Sequence, residues 1–221
     1  MIIERRSFSG MDGYGASLSD YTDFFDTLCD WDDREEVTDG VEYSYGGVKI
    51  KISKNESSYF VLGVHIGTYT YSLRPSYNNH FFHFLIAKTD SSVGISVFCN
   101  SEGATVPVGQ SSSNPRFVLT KCVNLDTGAE EKGIVFQDHS TSQVTTRLSS
   151  ANYVVNTGTT IYLNYGTAST VLYPAASAAY LGYCPHVFIP VFQNCTFTNS
   201  KCTVNGSDYY ILGGTLYLLD D

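Results

Sequence analysis

The chain has 221 residues, enough for one large β domain or two small ones, and only 16% of them are charged, against roughly 25% in ordinary soluble domains. Its net charge of −9 sits in one place: between Asp20 and Glu42 ten acids accompany a single base, Arg34, and the rest of the chain is neutral. That balance leaves no basic stripe for phosphates and argues against nucleic-acid binding, and no run approaches the roughly 18 apolar residues of a membrane span.

The start, MIIERRSFSGMDG, lacks the apolar stretch of a signal peptide, which predicts cytosolic synthesis and six cysteines that begin as thiols. Gly10, Gly13 and Gly15 make residues 1–16 read as an irregular arm. A helix is expected from Ser19 to Trp31, capped by Ser17 or Ser19, with Asp20 and Asp23 at the positive end of its dipole. Leu18, Tyr21, Phe25 and Leu28 fall on one stripe of it, with Phe24 and Trp31 at the edges, while Asp23, Asp26 and Asp30 lie elsewhere.

From Val41 to Ile52 the pattern VEYSY-GG-VKIKI predicts an antiparallel hairpin. Gly46 and Gly47 can both take positive φ, as a two-residue primed turn needs. Closing there pairs Tyr45 with Val48, Tyr43 with Ile50 and Val41 with Ile52 on one apolar face. The other face sets Ser44 opposite Lys49 and Glu42 opposite Lys51, the latter an expected cross-strand ion pair.

Nearly every later segment reads as a strand: Tyr59 to Ile66, Thr68 to Leu73, Phe81 to Ala87, Val93 to Cys99, Phe117 to Leu125, Gly133 to Gln137, Tyr153 to Asn156, Ile161 to Tyr165, Ala179 to Tyr183, Val187 to Gln193, Cys195 to Thr198 and Lys201 to Val204. The stretch Thr167 to Ala179 reads as a surface loop. The last pair, Asp208 to Leu212 and Thr215 to Leu219, turns on Gly213-Gly214. That register puts Tyr210, Tyr217, Leu212 and Leu219 on one face and Tyr209, Ile211, Leu216 and Leu218 on the other, both apolar, so the hairpin is buried on two sides. Short strands with turn signals throughout define a mainly β fold, an antiparallel β-sandwich or barrel with one short N-terminal α-helix. Two regions are expected: residues 1–40 as arm and acidic helix, and 41–221 as the β domain, with residues 110–114 (QSSSN) as the candidate boundary inside it.

Chemistry-bearing patterns are weak. Cys184, His186, Cys195 and Cys202 lack the C-x2-C knuckle of a zinc site and read as half-buried strand cysteines, with Cys195–Cys202 a candidate disulfide in an oxidising medium. His80 and His83 point to opposite faces of a strand. Asp138-His139-Ser140 carries triad residue types without triad geometry. In the run Asp30, Asp32, Asp33, Glu35, Glu36, Arg34 occupies a calcium-ligand position and the loop glycine is absent, so a solvated acidic face is expected. No phosphate-cradling loop, metalloprotease motif or dinucleotide fingerprint occurs. The sequence therefore offers no catalytic, cofactor-binding or metal-binding residue, and no enzyme is expected.

Two surfaces remain as candidates. Acids packed within a Debye length of about 8 Å repel one another, and a basic partner would relieve them. Tyr21, Phe25 and Leu28 as apolar anchors with Asp23, Asp26 and Asp30 are therefore candidate partner-binding residues. Tyrosines set among Ser, Thr, Gly and Asn give rigid amphipathic contact area, which makes Tyr69, Tyr71, Tyr77, Tyr162 and Tyr165 candidate glycan-binding residues.

In FFDTL (Phe24 to Leu28), the strand pair GVEYSYGGVKIKI and the ending SDYYILGGTLYLLDD, the chain resembles virion structural proteins of tailed bacteriophages, especially those of tail and baseplate gene clusters in phages of gut Firmicutes. The resemblance implies a non-enzymatic structural subunit of the tail, baseplate or adsorption apparatus, assembled in the bacterial cytoplasm, present in the virion, self-associating and bound to other virion proteins. A receptor-binding module for host surface glycans and a capsid decoration protein are the alternatives.

Overall fold

Gly46 and Gly47 take φ of +55° and +74°, and the strands they join pair Tyr45 with Val48, Tyr43 with Ile50 and Val41 with Ile52. All six of those side chains are buried. A computed structural model describes the chain over residues 1–66, 69–74, 81–100, 102, 115–124, 126–137, 144–148, 155–156, 172–176, 182–190, 201–204, 207–212 and 216–220. In chain order its elements are β1 (Ile2–Ser9), α1 (Leu18–Asp26), β2 (Asp33–Val37), β3 (Gly40–Tyr45), β4 (Val48–Lys54), β5 (Phe60–Ile66), β6 (Tyr69–Leu73), β7 (Phe81–Lys88), β8 (Ser92–Asn100) and β9 (Arg116–Asn124). There follow β10 (Glu130–Gln137), β11 (Val144–Leu148), β12 (Val155–Asn156), β13 (Leu172–Ala176), β14 (Gly182–Pro190), β15 (Lys201–Val204), β16 (Ser207–Leu212) and β17 (Leu216–Leu219). The protein is mainly antiparallel β with a single short helix among the described residues.

Strands β2 to β6 form a five-stranded meander, and the others form a larger sheet that runs β1-β7-β8-β9-β14-β17-β16-β15, with β10 to β12 and β13 joined at its sides. The two sheets stack with α1 in the same core. Phe82, Phe84, Ile86, Ile95, Val97, Phe117, Leu119, Ile134 and Phe136 of β7 to β10 meet Tyr43, Ile50, Phe60 and Val64 of the meander and Tyr21, Phe24 and Phe25 of the helix. Because α1 and residues 41 onward share that core, position 40 marks no break in packing. The alternate residues Leu85, Ala87, Val118, Cys122 and Val135 form a second cluster with Val187, Tyr210, Leu212 and Leu218 from the C-terminal strands. Those strands approach so closely that a Cβ on Gly94 would lie 3.2 Å from Leu212 and 3.7 Å from Leu218. Strands buried on both faces need apolar residues at every position, which accounts for runs such as FHFLIA.

The helix is shorter than its stripe suggests. It covers nine residues and stops at Thr27, before Leu28 and Trp31. Asp20 closes its start, accepting from the Ser17 backbone N–H at 2.7 Å and the Ser17 hydroxyl at 2.6 Å. At the other end Trp31 folds back and its indole N–H donates to Phe25 O at 2.7 Å, while Lys88 Nζ donates to Thr27 O at 2.9 Å. These donors satisfy carbonyls that another helical turn would have satisfied. The Tyr21 ring lies 4.9 Å from Phe8 and 4.7 Å from Phe60, and its hydroxyl donates to Ser9 O at 2.7 Å.

Several further expectations need correction. Residues 2–9 are no irregular arm but an edge strand, paired with β7 from Ile2↔Lys88 to Ser9↔Phe81. Glu42 is opposite Lys51 in register but pairs with Lys49, and Lys51 pairs with Asp39 at 2.7 Å. Leu172–Ala176 is a strand rather than part of a loop, paired to β14 with an irregularity between Pro174 and Ala175. The two strands expected around residues 179–193 share one strand, β14. In the last hairpin Leu212 faces Leu216 and Tyr210 faces Leu218, one residue away from the expected register, which moves Leu218 onto the face of Tyr210 and Leu212. The stretch QSSSN and the expected strands 161–165 and 195–198 lie outside the described residues.

Candidate functional site

The acidic segment is held mainly by the chain's own lysines and arginine. Asp26 accepts from Tyr43 Oη at 2.8 Å and pairs with Arg34 Nε at 3.2 Å. Asp32 accepts from the Gly46 N–H at 2.7 Å and from Lys132 Nζ, which also donates to Asp30 O at 2.9 Å and stands 4.9 Å over the Tyr45 ring. Burial works against the Asp32 carboxylate, but the hydrogen bonds from Lys132 and Gly46 and the charge of Lys132 outweigh it, so its pKa lies below the ordinary value. Burial, followed by the bond to Asp26, pushes the Tyr43 hydroxyl well above its ordinary pKa. Arg34, Lys49, Lys51 and Lys132 thus pair with five of the segment's ten acids, Asp26 and Glu36, Glu42, Asp39 and Asp32.

Of the candidate partner-binding residues, Asp23, Asp26 and Asp30 are exposed, whereas Tyr21, Phe25 and Leu28 are buried in the chain's own core and cannot serve as anchors. Of the candidate glycan-binding residues, Tyr71 is only 8% exposed, and its ring lies 5.4 Å from Phe136 between the two sheets. For Tyr69 the structure gives the backbone, opposite Ile66, and Tyr77, Tyr162 and Tyr165 lie outside the described residues. The structure therefore gathers no tyrosine platform among the described residues.

Cys184 is bonded to Cys122 across the β9–β14 junction, where Gly182 faces Asn124 and Tyr183 faces Val123. Two of the thiols expected from the sequence thus form a disulfide, and Cys184 is withdrawn from the zinc set it shared with His186, Cys195 and Cys202. Sixty-two residues separate the partners, and nothing in the local spacing marks them. Cys29 and Cys99 remain thiols, each pushed up to about 12 by burial. His83 is buried with Nδ1 2.7 Å from Ser7 Oγ. His80, Asp138, His139 and Ser140 lie outside the described residues. Among the described residues no three His, Cys, Asp or Glu side chains gather as metal ligands, and no helix is long and apolar enough to cross a membrane.

What sequence reasoning missed is at the sheet margins. Strands β1 and β2 end their sheets, and among the described residues each pairs on one side only. Ile2 is 64% and Ile3 43% exposed on β1, and with Tyr14 they are the exposed large apolar side chains of the described residues. The alternation that marks a strand is absent from IIERRSFS, because an edge strand with little burial carries no binary pattern. The chain matches no protein-family model, no curated protein and no solved structure.

Proposed function

We propose that the protein is a non-enzymatic structural subunit of a bacteriophage particle, of the tail, baseplate or adsorption apparatus rather than the capsid. The observation that carries this reading is the open β1 edge with Ile2 and Ile3 exposed, a strand end of the kind that another strand covers in an assembly. The resemblance of FFDTL, the Gly46-Gly47 hairpin and the C-terminal SDYYILGGTLYLLDD to tail-cluster proteins supports it. The Cys122–Cys184 bond suits a protein that leaves the reducing cytosol, as a released particle does. Quantitative mass spectrometry of particles purified from the host that carries the gene tests the reading: the chain is expected at many copies per particle, and its absence from them would sink the proposal. A glycan array on the purified chain is expected to be silent, and a selective ligand would favour a receptor-binding module.

A further inference from the structure

The β1 and β2 margins differ in sign. β1 reads IIERRSFS, with Arg5 and Arg6 exposed, and β2 reads DREEV, with Asp33, Glu35 and Glu36 exposed. Charges on an edge strand commonly keep other strands away. Two margins of opposite sign on one molecule repel their own kind and attract each other.

We propose that β1 of one copy pairs antiparallel with β2 of the next, so that the chain joins to itself head to tail. Symmetric pairings through the charged middle of either edge work against themselves. A two-fold pairing of like edges sets its central residue opposite its own copy; centred on any residue from Glu4 to Arg6, or from Asp33 to Glu36, it puts like charge against like. The unlike pairing has a register that sets Arg5 opposite Glu36 and Arg6 opposite Glu35. That register runs Ile3 and Ile2 beside Thr38 and Asp39 at the β2–β3 turn of the neighbour. The local pairs Arg6–Glu4 and Arg34–Glu36 leave these side chains within reach of a second partner at the margin. Because the two edges differ, one joint leaves a free β1 and a free β2, and the chain extends into a ring or a filament unless two copies exchange both edges reciprocally.

The inference deepens the structural-subunit reading and rests on it. Sedimentation velocity of the full chain over a range of concentrations, at low and at high salt, tests it. At low salt the expected result is a concentration-dependent shift from monomer to larger species, lost at high salt. Arg5→Glu with Arg6→Glu makes both margins acidic, and Glu35→Arg with Glu36→Arg makes both basic. Each double variant, with its β circular dichroism intact, should sediment as a monomer, and an equal mixture of the two should assemble. Hydrogen exchange on the unaltered chain gives a readout independent of the variants, with protection gained on assembly at 2–8 and 33–37. A chain that stays monomeric throughout, a dimer protected at one margin only, variants that assemble as the parent does, or protection gained elsewhere would each overturn the proposal. A monomer still found in purified particles removes the head-to-tail joint and leaves the subunit reading; self-assembly by a chain absent from particles does the reverse.

Discussion

Gly46 stands where a turn meets a second strand. Its φ of +55° already disfavours a side chain, and a Cβ there would lie 2.4 Å from the Lys132 carbonyl oxygen. Gly128 has a similar φ of +66° with nothing within 4 Å of a Cβ. Gly128→Ala should therefore cost only the left-handed conformation, about 1 kcal/mol, while Gly46→Ala adds a backbone clash and should cost at least about twice that. Urea denaturation of both variants checks the order, and equal losses would show that the β10 contact is not rigid. The half-buried thiols of Cys29 and Cys99, held near 12, should react slowly with maleimide at neutral pH until the protein unfolds. Rapid labelling of either in the native protein would mean that the core around it opens.

At the scale of the element, carboxylates tie the acidic segment down. Asp20 is lowered by the Ser17 hydroxyl and N–H, Asp32 by Lys132 and Gly46 against burial, and Asp39 by Lys51. A carboxyl whose folded pKa is depressed contributes stability that is complete above its ordinary value of 3.8 and is lost as pH falls through the lowered folded value. Tm should thus stay level from neutrality to about pH 4 and fall below it, less steeply in Asp32→Asn. A Tm indifferent to acid would contradict these contacts. The Cys122–Cys184 bond joins the central β9 to β14 over a span of 62 residues, so Cys184→Ser should lower stability by about 2–4 kcal/mol, and non-reducing peptide mapping should recover the linked pair. The first hairpin was legible because turn chemistry and a one-sided apolar pattern specify the same register. The last hairpin was not: both its faces are apolar, so a slip of one residue leaves the pattern unchanged and only the contact of Leu212 and Leu218 with Gly94 decides it. β1 escaped notice because an edge strand has no buried face to alternate, and the disulfide because its cysteines meet only through sheet topology.

Over the described residues, the meander and helix cover one side of the large sheet and the C-terminal strands cover the other, and the large apolar side chains lie inside except Ile2, Ile3 and Tyr14. The tyrosines and apolar helix residues that the sequence offered as binding surface include core members such as Tyr21, Phe25 and Tyr71. Among the described residues, what stays outside includes arginines on the β1 margin, carboxylates on the β2 margin and the isoleucines Ile2 and Ile3. In the joint proposed above, specificity for the partner copy lies in main-chain edges. Electron cryomicroscopy of particles from the host that carries the gene addresses this most directly. We expect the fold in repeated copies within the tail or baseplate, each with its β1 margin covered by a strand; density that leaves β1 bare, or particles without this fold, would contradict it.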